Sequence, residues 1–169
     1  MDTPTFLALV LACAPQVHPD TAHALVQVES SFNPWAIGVV GGALERQPRD
    51  RAEALATAQA LRRAGWNFSL GLAQINVANV DRLGLRLEDA FEPCTNLAAM
   101  QSVLLDCFGR AGSASKVAPS AQAVLRQALS CYYSGSFVTG VQQGYVRHVT
   151  QAALALRRSN APVASKESP

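Results

Sequence analysis

The stretch Thr21-Ala22-His23-Ala24-Leu25-Val26-Gln27-Val28-Glu29-Ser30-Ser31-Phe32 decides how this chain reads. Its apolar residues at 22, 25, 26 and 32 fall at helical spacing. Glu29 lies three after Val26, four after Leu25 and three before Phe32. A carboxylate therefore rides on the stripe that a helix buries, not on its wet face. Apolar surroundings disfavour the charged form and raise a carboxyl pKa. Asn33-Pro34 stops the helix soon afterwards, because the residue before a proline avoids the α region. Glu29 then sits near the C-terminal end of its helix, where the negative end of the dipole raises its pKa further. A glutamate that keeps its proton near neutral pH can act as a general acid. The competing, purely structural reading is a buried Glu paired to an Arg or capping a helix end.

Outward from this segment the pattern is mostly helical. Residues 4–13 are apolar at 6, 7, 10 and 11, and the central helix spans 19–32 from Pro19. Residues 36–47, with Gly38, Gly41 and Gly42, read as a loop or a small β-hairpin near 37–44. A good helix former runs from Pro48 to Ala64 and is closed by Gly65. A loop over 66–71 leads into a short helix over 72–83, stopped by Gly84, and 85–93 is turn-like. A strong helix over 94–108 ends at Gly109, and 112–115 is a loop. Ser120 caps a helix that runs through Tyr132-Tyr133 to Gly135, and a last helix covers 140–158. The expectation is an all-α, single helical domain over 1–158 with that small hairpin, followed by a flexible tail over 159–169.

Length and composition set limits. A chain of 169 residues suits one domain, and 49% apolar with 15% charged residues marks a globular body. A net charge of +2 gives no argument for nucleic acid. No apolar run approaches the roughly 18 residues of a membrane span. Phe6–Cys13 resembles a short signal h-region, but the only charge before it is Asp2 and Pro15 follows closely. Thr3-Pro4 reads instead as the cap and first-turn proline of a folded helix, so no convincing leader marks an export route. The four cysteines, at 13, 94, 107 and 131, lack metal-type spacing, and the histidines at 18, 23 and 148 are scattered. No metal or cofactor is expected. Two disulfides in any of three pairings, or buried thiols, satisfy the count.

Further pieces complete a pattern. Gly71-Leu72-Ala73-Gln74-Ile75-Asn76 offers a glycine-marked turn with amide side chains, and Cys131-Tyr132-Tyr133-Ser134-Gly135 and Tyr145-Val146 place tyrosines near helix ends. Glu29-Ser30, Asn33-Pro34, Ala36, Gly71-Leu72-x-Gln74, Asn96, Tyr132-x-x-Gly135 and Tyr145-Val146, in that order, resemble the Slt-type lytic transglycosylases with a goose-lysozyme-like fold. Asn67-Phe68-Ser69-x-Gly71-Leu72-Ala73-Gln74-Ile75-Asn76 and Phe91-x-Pro93-Cys94-x-Asn96-Leu97 are similar, more narrowly, to the VirB1-like members of type IV secretion systems.

The resemblance implies a periplasmic enzyme that cleaves peptidoglycan between N-acetylmuramic acid (MurNAc) and N-acetylglucosamine (GlcNAc). It would leave 1,6-anhydro-MurNAc ends and open the wall locally for secretion-system assembly. Its partners would be glycan strands and other secretion components, and it would act as a monomer. Glu29 would be the sole catalytic residue. Ser30, Gly71, Leu72, Gln74, Asn96, Tyr132 and Tyr145 would bind substrate or hold the acid. In an oxidising periplasm, Cys94 with Cys131 and Cys13 with Cys107 become the expected bridges. Two positions depart from the common pattern: Tyr133 stands where many relatives carry Asn, and Gly38 where many carry Ser. A hydrolytic muramidase on the same fold and a non-catalytic peptidoglycan-binding assembly module are the alternatives.

Overall fold

Asp2 accepts a hydrogen bond from the Thr5 amide (2.9 Å) and Pro4 occupies the first turn, so α1 (Thr3–Cys13) starts with its cap one residue before the expected Thr3. A computed structural model describes residues 2–114 and 120–160 of this chain. Phe6 and Val10 of α1 are fully buried. In α2 (Pro19–Ser30), His18 Nδ1 accepts from the Asp20 amide (3.2 Å) and Pro19 takes the first helical position. Ala22, Leu25 and Val26 are fully buried, as their spacing predicts, and α2 packs against α8 (Tyr145–Asn160).

The helix ends two residues earlier than the apolar spacing implies. Ser31 and Phe32 both adopt left-handed conformations (φ 51° and 62°). Such residues cost about 1–3 kcal/mol each, so packing must hold them. The Phe32 ring supplies it, meeting Phe6 at 5.0 Å and His23 at 4.8 Å between centroids. Phe32 thus reaches the core from a turn, and Glu29 becomes the last helical residue but one.

A three-stranded antiparallel sheet has the order β1 (Ile37–Val39), β2 (Phe68–Leu70), β3 (Ile75–Asn76). Ile37 faces Leu70, and Ser69 faces Asn76. A strand does start at 37, but its partner is 68–70, not 40–44. The Gln47 side chain explains why. Its amide accepts from Ile37 N (2.8 Å) and donates to Ile37 O (2.9 Å), occupying the groups of Ile37 that another strand would need. The stretches expected as a loop (66–71) and a helix (72–83) contain β2, a turn, β3 and then the shorter helix α4 (Val77–Arg82).

Elsewhere, α3 (Arg51–Arg63) is capped by Asp50, whose side chain accepts from the Glu53 amide (2.9 Å), and Gly65 closes it at φ 73°. A 3-10 turn (Asp89–Phe91) leads into α5 (Pro93–Ala114). That helix does not stop at Gly109. An interior glycine costs only about 1 kcal/mol, and Ala111 beyond it is fully buried. The expected loop at 112–115 is therefore helical to Ala114, and Ser115 lies outside the described residues. Then α6 (Ala121–Ser134) packs on α5. The expected last helix is two: α7 (Thr139–Gln142) and α8, parted at Gly144 (φ 84°). The tail expected from 159 falls partly in α8, which runs to Asn160, and 161–169 lie outside the described residues. One cluster of buried side chains gathers these elements, among them Leu25, Phe68, Leu72, Phe91 and Leu97. Each such side chain contributes about 1.5–3 kcal/mol by leaving water.

All four cysteines are bonded, but not in the expected pairing. Cys13 bonds Cys94 (Cα–Cα 5.3 Å) and Cys107 bonds Cys131 (5.8 Å). The expected Cys94–Cys131 and Cys13–Cys107 bridges do not form, because Cys13 docks at Cys94 and Cys131 at Cys107, far apart along one helix. Cys94 and Cys107 both lie on α5, and thirteen residues of helix span about 20 Å. A bridge tolerates Cα atoms only about 7 Å apart. The end of α1 meets the start of α5, and α6 meets its middle.

Candidate active site

Glu29 is partly exposed at the end of α2, in the wall of a groove of about 870 Å³. Burial pushes its pKa from 4.5 up to about 7, and the Tyr145 hydroxyl, which donates to Glu29 Oε1, pulls part of the way back. A donor on a carboxylate favours the charged form, so the two effects oppose each other. Burial, and then the charge of Glu29, hold the Tyr145 phenol well above its usual range, which keeps it a donor. No Arg or Lys forms an ion pair with Glu29 among the described residues, so the buried ion-pair reading fails. A carboxyl group titrating near 7 can give and take a proton at neutral pH.

The other residues singled out from sequence converge on one turn. Four consecutive carbonyls, of Leu70, Gly71, Leu72 and Ala73, each accept from a side chain. Asn96 Nδ2 donates to Leu70 O (3.0 Å), and Gln74 Nε2 to Gly71 O (2.9 Å). Ser30 Oγ donates to Leu72 O (2.6 Å), and Tyr132 Oη to Ala73 O (2.6 Å). Asn96 also donates to Ala90 O (2.7 Å) and accepts from Ala73 N (2.8 Å). A tight turn leaves its backbone groups without ladder partners, and buried carbonyls need donors. Gly71 sits at φ 76°, where a Cβ would collide with the Asn96 amide and lie 2.5 Å from Ala90 O. This turn carries Gln74 to the groove at φ 48°.

Direct contact with a ligand is therefore open to fewer residues than the sequence suggested. Glu29, Gln74 and Tyr132 line the groove. Gly71, Leu72 and Asn96 are buried behind it, with Leu72 at 0% and Asn96 at 1% exposure. Ser30 spends its hydroxyl on Leu72 O rather than on Glu29. Tyr145 is 7% exposed and backs Glu29. Gln74 spends both N–H groups on Ala36 O (3.0 Å) and Gly71 O. Its Oε1 projects over Gly38, 2.7 Å from where a Cβ would stand. Gly38 leaves that oxygen room to accept from a ligand.

Several groove residues escaped the sequence reading. Asn79 and Arg82 lie three apart on α4, a signal that was legible but unremarkable on a short helix. Asp106 and Arg110 pair at 3.2 Å on the α5 wall, and Arg110 Nη2 reaches Cys131 Sγ at 2.9 Å. Tyr133 stacks on Tyr145 with centroids 4.6 Å apart. Nothing in spacing pointed to that pair. Among the described residues no three His, Cys, Asp or Glu side chains gather as metal ligands do, and no helix is long and apolar enough to cross a membrane.

The Type IV secretion system protein virB1 of Brucella abortus biovar 1 is 48% identical over 153 residues, covering 88% of this chain and 63% of its own. The same protein of Brucella suis biovar 1 gives equal figures. Protein virB1 of Agrobacterium fabrum is 38% identical over 143 residues, covering 83% of this chain and 56% of its own. The chain thus spans less than two thirds of the length of these curated relatives. No solved structure is a significant match. The family described as Transglycosylase SLT domain matches residues 6–154, so nearly every element that builds the groove falls within it, and this chain belongs to that family.

Proposed function

We propose that this chain is a peptidoglycan lytic transglycosylase. It cleaves the bond between MurNAc and GlcNAc, leaves 1,6-anhydro-MurNAc ends, and opens the wall locally for a type IV secretion system. The observation that carries the reading is Glu29, a carboxyl group pushed up to about 7 in the wall of a long groove and held by Tyr145. The family match supports the reaction, and the likeness to virB1 proteins supports the machine served.

Glu29 acts twice. Protonated, it gives its hydrogen to the glycosidic oxygen as the C1–O bond breaks. The N-acetyl carbonyl of the same sugar supports the oxocarbenium-like carbon. The Glu29 carboxylate then takes the proton of the 6-hydroxyl as O6 bonds to C1. Glu29 regains its starting state, and no water is consumed. A pKa near working pH suits a group that must do both. Gln74 Oε1 accepts from the sugar, Tyr132 shapes the wall, and Tyr145 orients the acid. Ser30, Gly71, Leu72 and Asn96 act through the turn that presents Gln74. One chain builds the whole groove, so residues 1–158 act as one domain and the site needs no second copy. Two disulfides fit a periplasmic location.

One observation favours a second reading. Asp106 lines the same groove, and hydrolytic glycosidases use two carboxylates. Digestion of purified sacculi followed by mass spectrometry separates the two. The transglycosylase releases muropeptides one water lighter than hydrolysis does. Glu29→Gln should lower release by about a hundredfold or more, while Asp106→Asn keeps anhydro products. Reducing ends, or loss of activity with Asp106→Asn and retained fold, would favour the muramidase. Near-normal release by Glu29→Gln would end both readings.

A further inference from the structure

We propose that Tyr133 is a stacking platform for one pyranose ring of the glycan, on the groove wall beside Glu29. The proposal rests on the reading of the groove as a glycan site. Tyr133 lies one residue before the end of α6, lines the groove with Glu29 and Gln74, and is 47% exposed. A ring left so open is usually loose, but this one is fixed twice. One face stacks on Tyr145, with centroids 4.6 Å apart and planes 19° from parallel. Its hydroxyl donates to Gln143 Oε1 (3.0 Å), in the link between α7 and α8. Tyr145 is itself buried and bonded to Glu29, so the stack is anchored from behind. The open surface of Tyr133 is therefore its other face.

Pyranose rings present an apolar face of C–H groups with hydroxyls and substituents around the rim. A flat aromatic surface matches the face, and polar groups must meet the rim. The groove supplies both. Gln74 Oε1 has no donor among the described residues, and Asn79 and Ser69 also line the groove. A ring already locked in place loses little freedom when the sugar arrives, which preserves the gain from contact. Tyr133 would thus fix one sugar relative to the acid without touching the reacting atoms.

The test uses the full chain carrying Glu29→Gln, so that substrate is not consumed. The probe is a tetrasaccharide of alternating GlcNAc and MurNAc, and binding is read by calorimetry. Added Tyr133→Ala should weaken the dissociation constant about three- to tenfold, and Tyr133→Phe by less than about twofold, given the usual strength of aromatic contacts. Tyr133→Leu keeps bulk over Tyr145 but no flat ring, and should weaken binding like Ala. In the active background, Tyr133→Ala should raise KM more than it lowers kcat and leave the pH profile in place. Unchanged binding by Ala and Leu would overturn the platform while leaving the glycan reading intact. A shifted pH profile with unchanged binding would also overturn it, since Tyr133 would then act through Tyr145. If the Glu29→Gln parent fails to bind the tetrasaccharide, the glycan reading falls and the platform with it.

Discussion

Replacing Glu29 by Gln should make this protein more stable at alkaline pH, and the effect can be worked from the site. Burial raises the Glu29 pKa from 4.5 to about 7. At about 1.4 kcal/mol per unit, that shift is worth about 3 kcal/mol between the two protonation states. Between those values the folded chain keeps a proton that the unfolded chain has released. The unfolded state binds fewer protons, so stability falls as pH rises through this window. The contribution is fully present below the unfolded value of 4.5 and is lost as pH passes through about 7. Glutamine has nearly the same shape, carries no titratable proton, and still offers Tyr145 an oxygen. The stability of the variant relative to wild type should therefore grow by about 3 kcal/mol between about pH 4 and about pH 8. For a domain of this size that is a difference of about 6–12 °C in Tm. Urea unfolding of both proteins across the range, followed by tyrosine and tryptophan fluorescence, measures it directly. Two curves that stay parallel from acid to alkaline pH would refute the claim that burial strains this carboxylate. The acid role of Glu29 would then lose its physical basis, whatever the activity data showed.

Removing the one donor to Glu29 among the described residues should raise its titration further. Tyr145→Phe leaves burial unopposed, so the alkaline limb of the pH–activity profile should shift upward; an unmoved limb would show that the hydroxyl does not sense the carboxylate. Asn96→Ala strands the carbonyls of Leu70 and Ala90 and the amide of Ala73, and should cost about 3 kcal/mol or more in denaturant unfolding. The Cys13–Cys94 bridge closes a sequence separation of 81 and Cys107–Cys131 one of 24. Chain entropy then assigns about 4.5 and about 3.5 kcal/mol to them, so a Cys13→Ser, Cys94→Ser variant should melt lower than the Cys107→Ser, Cys131→Ser one. His23 is buried with Nδ1 unpartnered, and burial lowers its pKa from 6.5. Its folded form rejects a proton that the unfolded chain accepts, so stability is lost as pH falls below 6.5 through the folded value. His23→Phe, which keeps a ring against Phe6 and Phe32, should flatten that acid-side decline in thermal melts.

Helices were legible where they carry their own end signals. Asp50 caps α3 from the residue before it, Ser120 caps α6 in the same way, and Gly65 and Gly135 end their helices at positive φ. The raised acid was legible for a similar reason, since Leu25 and Val26 lie one turn from Glu29 on the same helix. The strands were not. Two- and three-residue strands such as Ile75–Asn76 and Phe68–Leu70 are too short to show alternation. Their pairing depends on Gln47 and on a turn elsewhere. The disulfide pairing failed because it depends on where along α5 its neighbours dock, and no local pattern encodes that.

The residues of the candidate site lie between these cases. Sequence located Ser30, Gln74, Asn96 and Tyr132, yet their hydroxyls and amides were expected to face a sugar or the acid. Instead they face the carbonyls of a single turn. The reason is backbone chemistry. Gly71 and Gln74 both take positive φ, and the backbone of such a turn closes the Gln74 N–H to Gly71 O bond but leaves the Leu72 and Ala73 carbonyls outside any helix or strand. Donors must come from elements 42, 26 and 59 positions away for Ser30, Asn96 and Tyr132. A change at Ser30 or Asn96 should therefore disturb Gln74 without touching the ligand, and one at Tyr132 should also alter the groove wall. Binding and stability should fall together at Ser30, Asn96 and Tyr132, whereas at Glu29 they should part. Catalysis there is lost while alkaline stability rises. That divergence is what distinguishes a group kept for chemistry from groups kept to build the turn beside it.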